Sequence, residues 1–132
     1  MSGERFVLVF ALTGSVAANA NGVWDQVVSS GNGSKGLITK ARFMPSESVT
    51  ADNSNYFDLS VEINTTEIAS EQTTSSDTGD LTAGTEIELA LSSTVSLEVA
   101  DGDRLTVKKT KAGTGAVASG TVTIEGEWYR AP

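Results

Sequence analysis

Over much of the chain, apolar and polar residues alternate with a period of two. Phe57, Leu59, Val61 and Ile63 are interleaved with Asp58, Ser60 and Glu62, and Ile87, Leu89 and Leu91 with Glu88 and Ala90. Leu97 and Val99 alternate with Ser96 and Glu98, and Leu105 and Val107 with Thr106 and Lys108. Val122, Ile124 and Trp128 do so with Thr121, Thr123, Glu125 and Glu127. Successive side chains of an extended strand point to opposite faces, so each run predicts a strand with one face in a core and one in water. Helical spacing of 3.6 is nearly absent. Turn-forming clusters punctuate the runs at Ser29 to Gly36, Thr50 to Asn55, Thr73 to Thr85, Asp101-Gly102-Asp103 and Ala112 to Gly120.

Strands are thereby expected over Arg5–Leu12, Gly22–Val28, Leu37–Met44, Tyr56–Asn64, Thr66–Glu71, Thr85–Leu91, Val95–Ala100 joined to Arg104–Lys111, and Thr121–Arg130. About eight short strands in one domain spanning residues 1–132 suggest an all-β fold, an antiparallel two-sheet β-sandwich of jelly-roll type. Asp101-Gly102-Asp103, set between two alternating runs, is expected to close a three-residue hairpin. No internal repeat or linker argues for a solenoid or a second domain.

The first strand departs from simple alternation. Phe6, Leu8, Phe10 and Leu12 fall on one face and Val7, Val9 and Ala11 on the other, so both faces are apolar and both need cover, from the chain's own layers or from another subunit. With Ala18-Asn19-Ala20 downstream, this segment imitates a secretory signal, but Glu4 offsets Arg5 and the strictly apolar run stops at Leu12. A buried strand is the expected reading. The run is also far short of the roughly 20 apolar residues of a membrane span.

Composition narrows the chemistry. The chain has no cysteine and no histidine, which removes thiol nucleophiles, disulfides, the usual zinc ligands and imidazole acid–base catalysis. A net charge of −8 opposes a nucleic-acid role, which needs a basic patch. The charge is distributed in blocks: residues 1–45 carry +2, residues 46–103 hold thirteen acidic residues and no basic one, and residues 104–132 carry +3. One expectation from this is that the basic ends gather on one surface, which meets an acidic partner, while the acidic middle faces water.

Among carboxylates, Glu86 with Glu88 and Glu125 with Glu127 each lie two apart on a strand, about 6.5 to 7 Å from one another, a spacing that permits glycosidase chemistry. Eight aromatic residues in all leave few platforms for sugar rings, and no catalytic residues, metal or cofactor are expected. The Asp101-Gly102-Asp103 and Asp77-Thr78-Gly79-Asp80 turns lack the spaced oxygen set of a calcium loop. Asn64-Thr65-Thr66 and Asn32-Gly33-Ser34 match the glycosylation sequon. A lectin-like carbohydrate-binding module is the alternative reading; it would rely on Trp24, Tyr56, Trp128 and Tyr129.

Two stretches carry a family likeness. The first is Ala41-Arg42-Phe43-Met44-Pro45, Ser48-Val49-Thr50-Ala51 and the strand from Tyr56 to Ile63. The second is the Ala100-Asp101-Gly102-Asp103 turn, the strand Arg104 to Lys111, the Gly113-Thr114-Gly115 loop and a closing strand begun by Gly120. Together they resemble the small jelly-roll capsid decoration (cement) proteins of tailed bacteriophages. The likeness spans roughly residues 36–63 and 100–127; Ser70 to Thr85 and Trp128-Tyr129-Arg130 lie outside it. It implies a non-enzymatic structural virion protein on the outer capsid surface. The partners implied are the major capsid protein and two further copies of itself, in a homotrimer at local three-fold positions, with no role for nucleic acid or membrane. The interface residues expected on this reading are Arg5, Phe6, Leu8 and Phe10 of the first strand, with Lys108, Lys109 and Lys111.

Overall fold

Phe57, Leu59, Val61 and Ile63 all point into an apolar core in the computed structural model, as their spacing requires. The structure describes residues 5–13, 17, 19–29, 35–73 and 79–129. The Asn32-Gly33-Ser34 sequon, Asp77-Thr78 and Arg130 lie outside them. Ten strands form among the described residues: β1 (Arg5–Leu12), β2 (Gly22–Val27), β3 (Lys35–Pro45), β4 (Tyr56–Ile63), β5 (Thr66–Thr73), β6 (Ile87–Glu88), β7 (Ala90–Leu91), β8 (Glu98–Ala100), β9 (Arg104–Ala112) and β10 (Gly120–Tyr129). There is no helix among the described residues.

The strands make two five-stranded antiparallel sheets, the expected β-sandwich. The first sheet runs β1, β10, β3, β6, with β8 also on β3; the second runs β2, β9, β4, β5, β7. Pairing is nested: β1 with β10, β2 with β9, β3 with β8 and β4 with β5. The chain thus behaves as a long two-stranded ribbon folded over into two layers. Residues from both layers, among them Phe10, Ile38, Phe43, Val122 and Ile124 from the first sheet and Phe57, Leu59, Ile68, Leu105 and Val107 from the second, form the core. Each such side chain, fully buried, contributes about 1.5 to 3 kcal/mol. Phe43 and Phe57 meet edge to face across the layers, 6.4 Å between centroids.

Two local expectations are corrected. Thr85–Leu91 is not one strand: Ile87 pairs in the first sheet and Leu91 in the second, with Leu89 buried between them and its N–H bonded to Ala41 O at 2.9 Å. The run crosses the sandwich and splits into β6 and β7; with β8 and β9 also separate, ten strands replace about eight. Nor do the two strands around Asp101-Gly102-Asp103 form a hairpin. The reversal itself is present, with Asp103 N–H bonded to Ala100 O at 3.0 Å and Gly102 at φ +90°, but β8 then pairs with β3 and β9 with β2 and β4. Turn chemistry fixes a change of direction; the partner of each strand is chosen by where its apolar face can be buried. Val28, just beyond β2, locks this corner through bonds to Gly102 and Asp103 at 2.8 and 2.7 Å.

Candidate interaction surface

Outward residues of the first sheet form a transverse row of charge. Register places Val7 opposite Glu125, and Thr123 opposite Arg42. The two oxygens of Glu125 accept from two different guanidiniums, Oε1 from Arg5 Nη2 and Oε2 from Arg42 Nη2. Arg42 continues the row to Glu86, at 3.0 Å. Glu125 is only 8% exposed although its strand parity points it outward, because the two arginine side chains fold over it. The bulge that lets β3 cross here leaves Gly126 opposite Ile38 and Glu125 opposite Lys40. Glu125 is therefore a clamped counterion, with both oxygens occupied, and not one half of an open pair with Glu127. Glu88 faces Lys40 at 4.0 Å.

The expected interface residues separate. Phe10 lies in the core, Leu8 packs against it, and Phe6 stacks on Trp128 with centroids 4.5 Å apart, so the aromatic face of β1 is turned inward. Arg5 is exposed at the strand's start. The face that the described residues leave uncovered is the other one: Val7 is 51% and Val9 53% exposed. On β9, Lys108 points outward to Glu62 at 3.1 Å and Lys111 is exposed, but Lys109 has the parity of Leu105 and Val107 and is 1% exposed. Its ammonium donates to Ala17 O at 2.5 Å and sits 5.7 Å from the Phe57 ring centroid. Lys108 and Lys109 thus occupy opposite faces and make no common patch.

Burial, with the Lys111 charge as a smaller cause, holds the Lys109 ammonium below the ordinary lysine value of 10.5. The folded chain then releases this proton at a lower pH than the unfolded chain does. Between the two values the unfolded state binds more protons, and stability rises with pH through that window. Lys109→Met cannot titrate here and should lack this rise, so the difference in stability between the two proteins should shift in favour of the native chain between pH 7 and pH 10. Urea unfolding of both proteins at the two pH values checks this; an unchanged gap would count against it.

The blocks of charge in the sequence do not become two sides of the molecule. Nested pairing inserts β3 and β10 between β1 and β6, and β9 between β2 and β4. Basic residues of the flanks therefore meet acids of the middle: Lys35 with Glu98 at 3.2 Å, Lys40 with Glu88, Arg42 with Glu86, and Lys108 with Glu62. Tyr129 donates to the same Glu98, which lowers the carboxyl pKa and raises that of the phenol.

The remaining candidate chemistries are absorbed by structure. Asp103 accepts from Ala100 N at 2.8 Å and from Asn64 Nδ2 at 3.3 Å, and Asp80 from Ala51 N at 2.7 Å, so these carboxylates hold turns. Asn64 sits at φ +58° at the β4–β5 turn, its Oδ1 accepting from Arg104 N at 3.1 Å, so the sequon's amide is engaged on both sides. Among the described residues no group of three or more acidic side chains is placed to hold a metal ion. Of the aromatics a sugar site would use, Trp24 donates to Thr13 O at 3.0 Å, Trp128 lies on Phe6 and Tyr129 bonds Glu98.

Sequence reasoning missed Val23 and Val27, 59% and 66% exposed on the outer face of β2, because Val23-Trp24-Asp25-Gln26-Val27 gives no clean apolar face to read. Comparison of the chain with protein-family models and with curated proteins finds no match in either.

Proposed function

We propose that the chain is a structural virion protein that binds the outer surface of an assembled phage capsid and stabilises it without catalysis, as a homotrimer at local three-fold positions beside the major capsid protein. The observation that carries this reading is the apolar outer face of β1, which the rest of the described chain leaves open at Val7 and Val9. An apolar strand face of this kind is the ordinary mark of a protein contact. The nested strand order supports the reading too, since nesting of this kind suits a jelly roll, the fold of the decoration proteins that residues 36–63 and 100–127 resemble. A protein of this type acts by mass action: it binds the assembled shell and not free subunits, so the shell's stability rises with occupancy and with the number of linked contacts.

Co-sedimentation with expanded, empty capsids tests the reading. Binding should saturate at a fixed ratio to the shell protein and raise the temperature at which the shell comes apart. Lys108→Glu with Lys111→Glu should lower occupancy; Lys109 is left intact because it is buried. A chain that stays in the supernatant at every concentration would overturn the proposal.

A further inference from the structure

The edges of the two sheets are closed in different ways. β6, β7 and β8 are two, two and three residues long. The edge of β1 is crossed by side chains, Gln26 Nε2 donating to Val9 O at 2.6 Å and Trp24 Nε1 to Thr13 O at 3.0 Å. Short strands and occupied carbonyls both discourage the addition of a further strand. β2 has neither protection: it is six residues long, ends the second sheet and pairs with β9 alone.

The phase of that pairing fixes which backbone groups of β2 are left over. Val28 N–H donates to Asp103 O and Val28 O accepts from Gly102 N–H, so the backbone groups of Val28 face β9. Residues of an antiparallel strand turn their N–H and C=O alternately toward the partner and away from it. Gly22, Trp24 and Gln26 therefore face β9 with Val28, and Asn21 continues that side by a side-chain rung, its Oδ1 accepting from Lys111 N–H at 2.8 Å. The N–H and C=O groups of Val23, Asp25 and Val27 point the other way, and no described residue bonds to them.

The side chains along this edge give it selectivity. Val23 and Val27 stand exposed on the outer face of the second sheet, with Asp25 between them. Thr106 Oγ1 at 2.6 Å and Arg104 Nε at 4.0 Å both reach Asp25 at Oδ1, and Oδ2 takes no bond from a described residue. Pairing the β2 edges of two copies about a central two-fold axis would set Asp25 directly against Asp25, an unfavourable like-charge pair. A foreign strand with a cation at that position meets attraction instead.

We infer that β2 is a strand-addition site for an extended segment of another protein, one with a lysine or arginine opposite Asp25 and apolar residues two places away on each side, opposite Val23 and Val27. Main-chain bonds supply the affinity of such a contact and alternate side chains its selectivity. The site stands apart from capsid binding, which it neither requires nor excludes.

The test is amide exchange by NMR on the full chain, with the peptide acetyl-Thr-Val-Thr-Lys-Thr-Val-Thr-amide as probe. In the free chain Val23, Asp25 and Val27 should exchange fast and Trp24 and Gln26 slowly; saturating peptide should slow the first three by about tenfold and leave the other two unchanged. Glutamate in place of the peptide's lysine should weaken binding about tenfold. Methylating the backbone nitrogens of its lysine and two valines should abolish binding, whereas methylating those of its three inner or outer threonines should not. Val27→Pro, at an edge position whose N–H has no partner in the sheet, should fold and bind more weakly; the methylated peptides carry the test should it not fold. Slow exchange at the three positions in the free monomer would mean that the edge is already covered. Protection that rises with protein concentration alone would give the edge to a second copy. No response to the peptide, or equal binding of the two methylated forms, would show that no strand adds there. Each of these results overturns the inference.

Discussion

Glu125→Ala is expected to lower the free energy of unfolding by about 3 kcal/mol, among the largest effects of any single substitution outside the core. Glu125 is nearly buried and is the shared counterion of Arg5 and Arg42. Removing it leaves Arg42 part-buried, with Nε already lacking a partner, and bonded only through Nη1 to Glu86. Breaking a buried ion pair from one side costs roughly 3 to 5 kcal/mol; the surviving bond to Glu86 places this case toward the lower end. Arg5 is mainly solvated and adds little. The asymmetry of the effect is the sharper test. Replacing both charges, Arg42→Met with Glu125→Leu, removes the orphaned charge as well as its partner and should leave stability within about 1 kcal/mol of native. Urea unfolding measures both, with the midpoint shifting at constant slope. A loss below about 0.5 kcal/mol in Glu125→Ala would mean that the clamp behaves as an ordinary solvent-exposed pair.

The same row of residues shows what the sequence could and could not convey. Parity correctly assigns Glu125 to the outer surface, but its burial depends on two arginines from β1 and β3 converging on it, at sequence distances of 120 and 83 residues. Lys109 is the converse case. Its parity with Leu105 and Val107 already assigned it inward, and only the identity of the residue suggested a surface role. Strand existence was legible wherever one face is buried: the expected limits of Arg5–Leu12 are those of β1, and Tyr56–Asn64 overshoots β4 by one residue.

Partnership was not legible. Ile87, Leu89 and Leu91 keep a perfect period of two while passing from one sheet to the other, since alternation records that a side chain is buried and not which layer buries it. The Asp101-Gly102-Asp103 corner errs for the same reason. Charge blocks mislead in a related way, because nested pairing brings distant segments side by side and turns a segregated sequence into a mixed surface.

Gly120→Ala is expected to be at least as damaging as the loss of Glu125, at about 4 kcal/mol, through strain and collision together. Gly120 opens β10 with φ +151°, a region that residues with a Cβ rarely enter. A Cβ there would strike Met44 O and lie 2.9 Å from both Phe43 Cε1 and Pro45 Cα. Two of these three atoms belong to the backbone of β3, so a rotamer change cannot make room. Gly120 is also the point where β10 pairs with Leu12 on one side and Pro45 on the other, so any shift opens both ladders together. Gly102→Ala is the control. It too has positive φ, at +90°, but nothing lies within 4 Å of the added carbon, so only the conformational cost of about 1 to 2 kcal/mol applies. Urea unfolding of the two variants separates strain from collision. If Gly120→Ala proves no worse than Gly102→Ala, then β3 yields at this corner, and the close approach of β10 to Met44 and Pro45 is not what fixes the closing strand in place.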